Sequence, residues 1–353
     1  MSLINFYVRG QVNYGFHVQL NKPPMNCNEW IASFLATDPP RSKSLVVTIF
    51  GDAIVPHGGM VWLGSLIELL APFGVNDRLL RTSVFRLAQE GWLGAQRDGR
   101  RASYAITPDA MARFVHAYRR IYAPPNVHWD GSWTLVLNGD GALNAAERSA
   151  VRKELLWEGY SVIAPGIMGH PAADGPALDE LLKRLGVAGK LFVVQGKSMR
   201  QVSARPLSDL VAEGWDVAGV AEGYSKFIAQ FEPLLAALRA TADAADGLPP
   251  GGADADGLAG VEACDQPLTP EKAFVVRTLL MHAYRRVQLH DPQLPVELLP
   301  TPWPGALAYE LARQIYLLVY AAAEQHIETA LRREDAAAPA AEAAFFDRFG
   351  GLA

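Results

Sequence analysis

Apolar residues recur with helical spacing from about residue 44. The first stripe contains Leu45, Val46, Ile49 and Phe50, and the second contains Trp62, Leu66, Leu69 and Leu70 before Pro72 and Gly74 end it. A third helix is predicted from Asn76, a good N-cap residue, to about Gln89. Two short strands at 92–93 and 104–106 follow, joined across an Asp-Gly turn at 98–99. Three helices are therefore followed by one hairpin.

This order predicts a winged helix-turn-helix, and different patterns follow it. Strands at 133–137, 160–163 and 191–194 alternate with helices at 144–158 and 177–185, which predicts a small ferredoxin-like (Cas2-like) α/β unit. Helical periodicity then covers 207–239, 270–289 and 305–332. The predicted fold class is α+β, with an N-terminal winged helix, a central ferredoxin-like unit and a C-terminal helical domain.

Composition changes divide the chain. Residues 1–40 contain four prolines and little periodicity, and we interpret them as a weakly structured extension. The winged-helix domain is predicted at 41–122, the ferredoxin-like domain at 123–205 and the helical domain at 206–332. Residues 240–263 lack bulky apolar side chains and are predicted to be a flexible insertion. The Ala-rich tail at 333–353 is expected to be loosely held.

Overall composition excludes several classes of protein. The 353 residues contain no apolar run long enough to span a membrane, and the first residues do not resemble a secretory signal, so we expect a cytoplasmic protein without a membrane partner. Cys27 and Cys264 are far apart, which favours neither a disulfide framework nor a thiolate metal site. The net charge of −5 allows nucleic-acid binding only through a local basic surface.

The predicted helix at 77–90 has such a surface. Its apolar side contains Leu80, Val84 and Leu87. Three arginines, a hydroxyl, an amide and one aromatic ring share the opposite side, which suits a recognition helix in a major groove: Arg78, Arg81, Thr82, Phe85, Arg86 and Gln89. Ser83 is a further candidate for contacts with phosphates or base edges.

The predicted hairpin adds Arg97, Arg100 and Arg101. Residues 76–101 thus contain six arginines and three acids, a local charge of +3 in an acidic protein. This asymmetry is typical of a module that binds double-stranded DNA. A winged helix used for protein contact is the alternative.

Several blocks of sequence resemble one family. They include Ile49-Phe-Gly-Asp52, Gly58-Gly-Met-Val-Trp-Leu-Gly-Ser-Leu66, Arg81-Thr-Ser-Val-Phe-Arg-Leu87, Gly91-Trp-Leu93, Gly99-Arg-Arg101, Arg120-Ile-Tyr122, Trp129-Asp-Gly-Ser-Trp133, His282-Ala-Tyr-Arg-Arg286, Asp291-Pro-Gln-Leu-Pro-Val-Glu-Leu-Leu-Pro300 and Trp303-Pro-Gly305. In this order they resemble the PaaX family of phenylacetate-degradation repressors. The extension at 1–40 and the insertion at 240–263 depart from that pattern.

The resemblance implies a homodimeric repressor of an aromatic-acid catabolic operon. It also implies that an aryl-CoA such as phenylacetyl-CoA releases the repressor from its operator, with no cofactor involved. A CoA thioester needs cations for its phosphates and an apolar slot for its acyl group. The candidates for these roles are Arg119, Arg120, Arg285, Arg286, Trp129, Trp133 and Trp303. Because one winged helix reads few base pairs, we expect two copies, joined by helices within 270–332.

Enzymatic chemistry finds little support in the sequence. The GxSxG, Walker, HExxH and paired CxxC motifs do not occur, and we predict no metal site. One alternative remains open, because an acid after the first strand of a ferredoxin-like unit resembles the arrangement in the Cas2 nucleases. Asp140 occupies that position here, although a turn residue in Asn138-Gly-Asp-Gly141 explains it as well.

Overall fold

The computed structural model describes residues 26–124, 129–139, 141–199, 202, 205–245 and 268–352. Its first unit contains α1 (Cys27–Thr37), α2 (Ser42–Ile49), β1 (Met60–Trp62), α3 (Leu63–Leu70), α4 (Asp77–Gln89), β2 (Leu93–Asp98), β3 (Arg101–Ile106) and α5 (Pro108–Tyr122). The three strands form an antiparallel sheet in the order β1-β3-β2. Each helix and strand predicted here exists, and β1 adds a strand that the sequence did not indicate.

Helix α1 corrects the prediction of a weakly structured segment at 1–40. Asn26 and Glu29 form a capping box that satisfies free amides at the start of the helix. Trp30 and Phe34, one turn apart, are buried and lie 5.1 Å and 5.7 Å from the Phe231 ring, measured between ring centroids. Two aromatic anchors therefore order this short helix. Residues 1–25 lie outside the described part of the chain.

The second unit contains β4 (Ser132–Leu137), α6 (Ala145–Trp157), β5 (Ser161–Ala164), β6 (Ile167–His170), α7 (Gly175–Arg184) and β7 (Phe192–Lys197). Its antiparallel sheet has the order β5-β6-β4-β7, which is the ferredoxin-like βαββαβ arrangement. Strand β6 was not predicted, since its four residues include a glycine and a histidine and show no clear alternation.

The third unit is helical, as predicted. It contains α8 (Leu207–Gly214), α9 (Val217–Ala245), α10 (Pro270–Gln288), α11 (Gly305–Glu334) and the short α12 (Ala343–Phe346). Residues 240–245 continue α9, so the predicted insertion at 240–263 is wrong for those six residues. Their alanines favour helix even without bulky apolar neighbours. Residues 246–263 lie outside the described residues.

The tail is not loosely held over 343–352. Phe345, Arg348, Phe349 and Leu352 are all at most 3% exposed. The sequence analysis missed these three apolar residues and the buried arginine because they follow the alanine-rich segment 333–344. These side chains pack into the core that the first and third units share.

The cores show how the units are joined. A single apolar core runs from α1–α5 through α9–α11 to the tail, whereas the ferredoxin-like unit has its own core around Leu155 and Leu181. A third cluster around Trp133 and Leu298 joins the ferredoxin-like unit to the helices. The first and third units therefore pack as one body around α10, in which twelve of nineteen residues are buried.

Candidate nucleic-acid interface

Helix α4 has the polarity that the sequence predicts. The Asn76 side chain accepts a hydrogen bond from the Leu79 amide at 2.9 Å and caps the helix. Leu80, Val84 and Leu87 are at most 1% exposed and pack inward. Burial of these three side chains fixes which side of the helix faces solvent.

The opposite side of α4 is exposed at every predicted position: Arg78, Arg81, Thr82, Phe85, Arg86 and Gln89. Arg81 Nε lies 2.8 Å from Asp77 Oδ1, so part of its charge is locally compensated. Arg78 and Arg86 form no ion pair with any described residue. The 60% exposure of Phe85 is unusual for a phenylalanine ring.

Ser83 differs from the expectation that it contacts DNA. It is 3% exposed, its hydroxyl donates to the Leu79 carbonyl, and its Oγ lies 2.9 Å from Ser42 Oγ. It therefore joins α4 to α2 from beneath, because helical geometry places position 83 between the apolar and the polar side.

The hairpin β2–β3 projects beside α4. Gly99 has a φ of 58° in the turn, a conformation that glycine adopts without steric cost. Arg97 and Arg100 are exposed near this turn and form no ion pair with a described residue. They extend the positive surface of α4 onto the hairpin.

Arg101 is held against the third unit instead. Its guanidinium group lies 4.1 Å from the centroid of the Trp62 ring and donates to Glu334 Oε2 at 2.8 Å. It also donates to the Glu334 backbone carbonyl. Because α11 ends at Glu334, this arginine anchors the hairpin to that helix, a role that sequence spacing could not reveal.

The effector candidates do not form one site. Arg120, Trp129, Trp133 and Trp303 lie near the junction of the three units, where the tryptophans share one apolar cluster. Trp129 Nε1 donates to the carbonyls of Ser132 and Pro171. These rings therefore pack the junction, which is the ordinary structural role of tryptophan.

Arg120 is buried in the same junction. It donates to the Trp157 carbonyl at 2.9 Å and to the Asp291 carbonyl, and burial lowers the pKa of its guanidinium group. Asp291 in turn accepts a hydrogen bond from the Tyr224 hydroxyl at 2.6 Å, and burial raises the pKa of this carboxyl. Arg120 links the first unit to the other two rather than facing solvent.

The remaining arginine candidates lie elsewhere. Arg285 donates to Thr48 Oγ1 at 2.8 Å and to Ser44, and burial lowers its pKa to about 10. Arg286 is exposed and lies 3.7 Å from Asp38, measured between Nη1 and Oδ2. Arg119 is exposed and has no ion-pair partner among the described residues. Among the effector candidates, only Arg119 and Arg286 offer accessible positive charge.

A buried charge cluster escaped the sequence analysis. Asp52 lies between Arg277 and Arg348, with the hydroxyls of Tyr122 and Tyr316 also bonded to it. Burial alone would raise the pKa of Asp52, but the two guanidinium groups hold it below its ordinary value. The sequence contained one signal of this cluster, because Asp52 is a charged residue inside the apolar run Ile49–Ile54.

The alternative site at Asp140 lies outside the described residues, so its chemistry stays a hypothesis. Across the described ranges, no group of three or more His, Cys, Asp or Glu side chains could hold a metal ion. The helices described here are also too short or too polar to cross a membrane.

A cavity of about 140 Å³ lies between Trp62 and Pro339. It is much smaller than the roughly 300–1,000 Å³ of typical ligand sites.

Three family matches cover most of the chain. Residues 41–110 match the family described as PaaX-like protein, residues 126–210 the PaaX protein central Cas2-like domain, and residues 257–329 the PaaX-like protein C-terminal domain. Their order is that of the three units in the structure.

One individual relative agrees with these matches. The transcriptional repressor PaaX of Escherichia coli (strain K12) is 34% identical over 314 residues, which cover 89% of this chain and 92% of that protein. A solved structure, the uncharacterized protein Rv0674 from Mycobacterium tuberculosis, covers 82% of this chain and 98% of its own, with 21% identity and a TM-score of 0.46.

Proposed function

This chain belongs to the PaaX family, and on that premise we propose that it binds operator DNA through a winged helix and represses an aromatic-acid catabolic operon of the phenylacetate type. Membership makes it a transcriptional regulator rather than an enzyme. The proposed role places the protein in the cytoplasm. The observation that carries the DNA-binding proposal is the exposed basic side of α4, continued by Arg97 and Arg100 on the hairpin.

In this proposal α4 is the recognition helix and the β2–β3 hairpin is the wing. Arg78 and Arg86 have the fewest local partners, so their guanidinium groups are free for base edges or phosphates. Arg97 and Arg100 lie where a wing meets the phosphate backbone. Arg101 supports the wing through Trp62 and Glu334, and Ser83 supports the helix from below.

We expect Arg78→Ala and Arg86→Ala each to weaken specific DNA binding by about 1 to 3 kcal/mol if the lost contact is a bidentate base contact. Arg97→Ala and Arg100→Ala should weaken binding to all sequences more evenly and reduce the slope of log affinity against log salt by about 1 each. Mobility shifts at several salt concentrations, with a duplex selected from a random pool by the full-length protein, measure both effects.

The matched control is Arg152→Ala, which removes an exposed arginine from α6 in the ferredoxin-like unit. Its affinity should equal that of the unmodified protein. Unchanged binding in all four α4 and wing variants would contradict the assignment of this surface to DNA.

We further propose that the repressor is a homodimer joined through β7 of the ferredoxin-like unit. Strand β7 is at the edge of its sheet, where β4 is its one partner among the described strands, and all six of its residues are exposed. Phe192, Val193 and Val194 are 71%, 46% and 47% exposed. An unpaired sheet edge with three consecutive exposed apolar side chains is an aggregation hazard, and an identical β7 can cover it by pairing around a twofold axis.

The predicted role of 270–332 in dimerisation receives less support. Helices α10 and α11 bury most of their apolar residues against each other, α9 and the first unit. Two large apolar side chains of α11 stay exposed, Leu307 at 53% and Leu318 at 45%, and they are separated by about three helical turns. We therefore propose the β7 edge, rather than the helices within 270–332, as the dimer interface.

Val194→Asp should convert the dimer to a monomer at micromolar concentration, because it places a desolvated charge at the centre of the paired edges. Val162→Asp is the control, since Val162 is an exposed valine on β5, the opposite edge of the same sheet. Light scattering coupled to size exclusion measures the mass. A dimer that survives Val194→Asp, or an unmodified protein that is monomeric, would rule out this interface.

We propose an aryl-CoA effector on the ground of the family resemblance. Arg119 and Arg286 are the accessible cations among the candidates, whereas Arg120 and Arg285 donate to carbonyls and hydroxyls inside the protein. The junction rings Trp129, Trp133 and Trp303 supply an apolar region beside Arg120. Effector binding near this junction could change the position of the ferredoxin-like unit against the DNA-binding body.

A further inference from the structure

The exposed side of α4 contains apolar groups as well as arginines. Leu79 is 46% exposed and Phe85 60% exposed, and Thr82 lies between them. Positions 79, 82 and 85 are three residues apart, so they form one diagonal row across the helix surface. We call these three residues the apolar row of α4.

Thr82 belongs to this row through its methyl group. Its hydroxyl donates to the Arg78 carbonyl at 2.9 Å, one turn earlier in the helix. The hydroxyl proton is therefore already used, and the γ-methyl remains for an apolar neighbour. The row thus offers two large apolar side chains and a methyl to whatever covers α4.

The surroundings of the row favour a polyanion as its partner. Arg78, Arg81 and Arg86 flank it on the same exposed side, and Arg97 and Arg100 lie on the neighbouring hairpin. An apolar protein partner would have to desolvate these guanidinium groups, at a cost in free energy. Duplex DNA supplies negative charge on its rim and one apolar group in its major groove, the 5-methyl group of thymine.

We propose that the apolar row of α4 reads thymine 5-methyl groups, so that each operator half-site has A·T pairs facing Leu79, Thr82 and Phe85. This inference rests on the proposed DNA-binding function and adds the base class that the helix selects. The arginines would then hold the helix in the groove or contact guanine, while the row discriminates thymine from bases without that methyl group.

The test replaces thymine by uracil in a duplex that the full-length protein has selected from a random pool. Uracil keeps the Watson–Crick edge and lacks only the 5-methyl group. Burial of one methyl-sized group stabilises by about 0.8 kcal/mol, so each lost contact should reduce affinity about fourfold. Single replacements across the half-site would locate the positions.

Variants assign the effect to the row. Phe85→Ala and Leu79→Ala should each bring the thymine-to-uracil affinity ratio close to one at one position, and both remove exposed side chains whose loss leaves the core intact. Arg86→Ala is the control, because it should weaken binding to both duplexes and preserve their ratio. Comparing ratios on the same two duplexes cancels any effect of uracil on the DNA itself.

The outcomes separate the two proposals. If the unmodified protein binds both duplexes equally, or if Phe85→Ala and Leu79→Ala keep the full ratio, thymine reading is wrong while DNA binding stands. If selection enriches no duplex, the proposed DNA-binding function fails. If both variants bind DNA normally, the row does not face DNA and is free for a protein partner.

Discussion

Replacing Asp52 with alanine should reduce the free energy of unfolding by about 3 to 5 kcal/mol, the range measured when one partner of a buried ion pair is removed. Asp52 is 5% exposed, and Arg277 and Arg348 are at most 1% exposed. Arg277 Nε lies 2.7 Å from Asp52 Oδ2, and Arg348 Nη1 lies 3.0 Å from Oδ1. Without the carboxylate, two guanidinium groups remain buried with fewer acceptors.

The residual contacts set the upper limit of the loss. Arg277 keeps its ion pair with Glu324 and its hydrogen bond to the backbone carbonyl of residue 52. Arg348 keeps the same carbonyl and donates to the Tyr316 hydroxyl at 2.6 Å. Asp52 precedes β1, Arg277 lies on α10 and Arg348 is in the tail, so the variant weakens the contact between three distant parts of the chain.

Urea denaturation of the full chain, followed by tryptophan fluorescence and circular dichroism, measures this change. Asp179→Ala is the control, because Asp179 forms an exposed ion pair with Lys183 on α7 and such pairs contribute less than about 1 kcal/mol. Equal unfolding midpoints for Asp52→Ala and the unmodified protein would show that the cluster contributes no net stability. If Asp52→Ala does not fold, Asp52→Asn gives a smaller loss in the same direction.

Helix α4 and the β2–β3 hairpin, the proposed DNA-binding elements, could be predicted because their signals are local. Asn76 caps α4, three apolar residues on one side orient it, and Asp98-Gly99 sets the hairpin turn. Each signal acts within a few residues and needs no knowledge of the rest of the fold. The exposed arginines of α4 follow directly from the period of the helix.

Long-range partners could not be predicted in the same way. Arg101 lies in the sequence where a wing contact is expected. It instead forms an ion pair with Glu334, which lies 233 residues later in the chain. Arg120 and Arg285 are residues of the type that binds phosphate. In the structure, however, both donate hydrogen bonds to carbonyls or hydroxyls in the protein interior. Charge in a sequence shows neither burial nor partner, and both decide whether an arginine can bind a ligand.

The proposed effector should weaken operator binding about a hundredfold, which corresponds to a coupling free energy of about 2.7 kcal/mol. A ligand can release DNA only if it binds the DNA-incompetent state more tightly than the competent state, and by at least this factor. The coupling must be reciprocal. Operator DNA should therefore weaken effector binding by the same hundredfold, whichever residues hold the thioester.

Calorimetric titrations with phenylacetyl-CoA, free phenylacetate and CoA, each with and without the selected duplex, test this reciprocity. Binding of the thioester alone, opposed by DNA, is the expected result. Arg119→Ala and Arg286→Ala each remove one accessible cation, and at least one of these variants should bind the thioester more weakly while its DNA affinity stays unchanged. Arg152→Ala is the control, and it should change neither affinity. The aryl-CoA proposal is wrong if the thioester does not bind, or if it binds equally well with and without DNA. In both cases the DNA affinity of the unmodified protein still tests the winged-helix proposal independently.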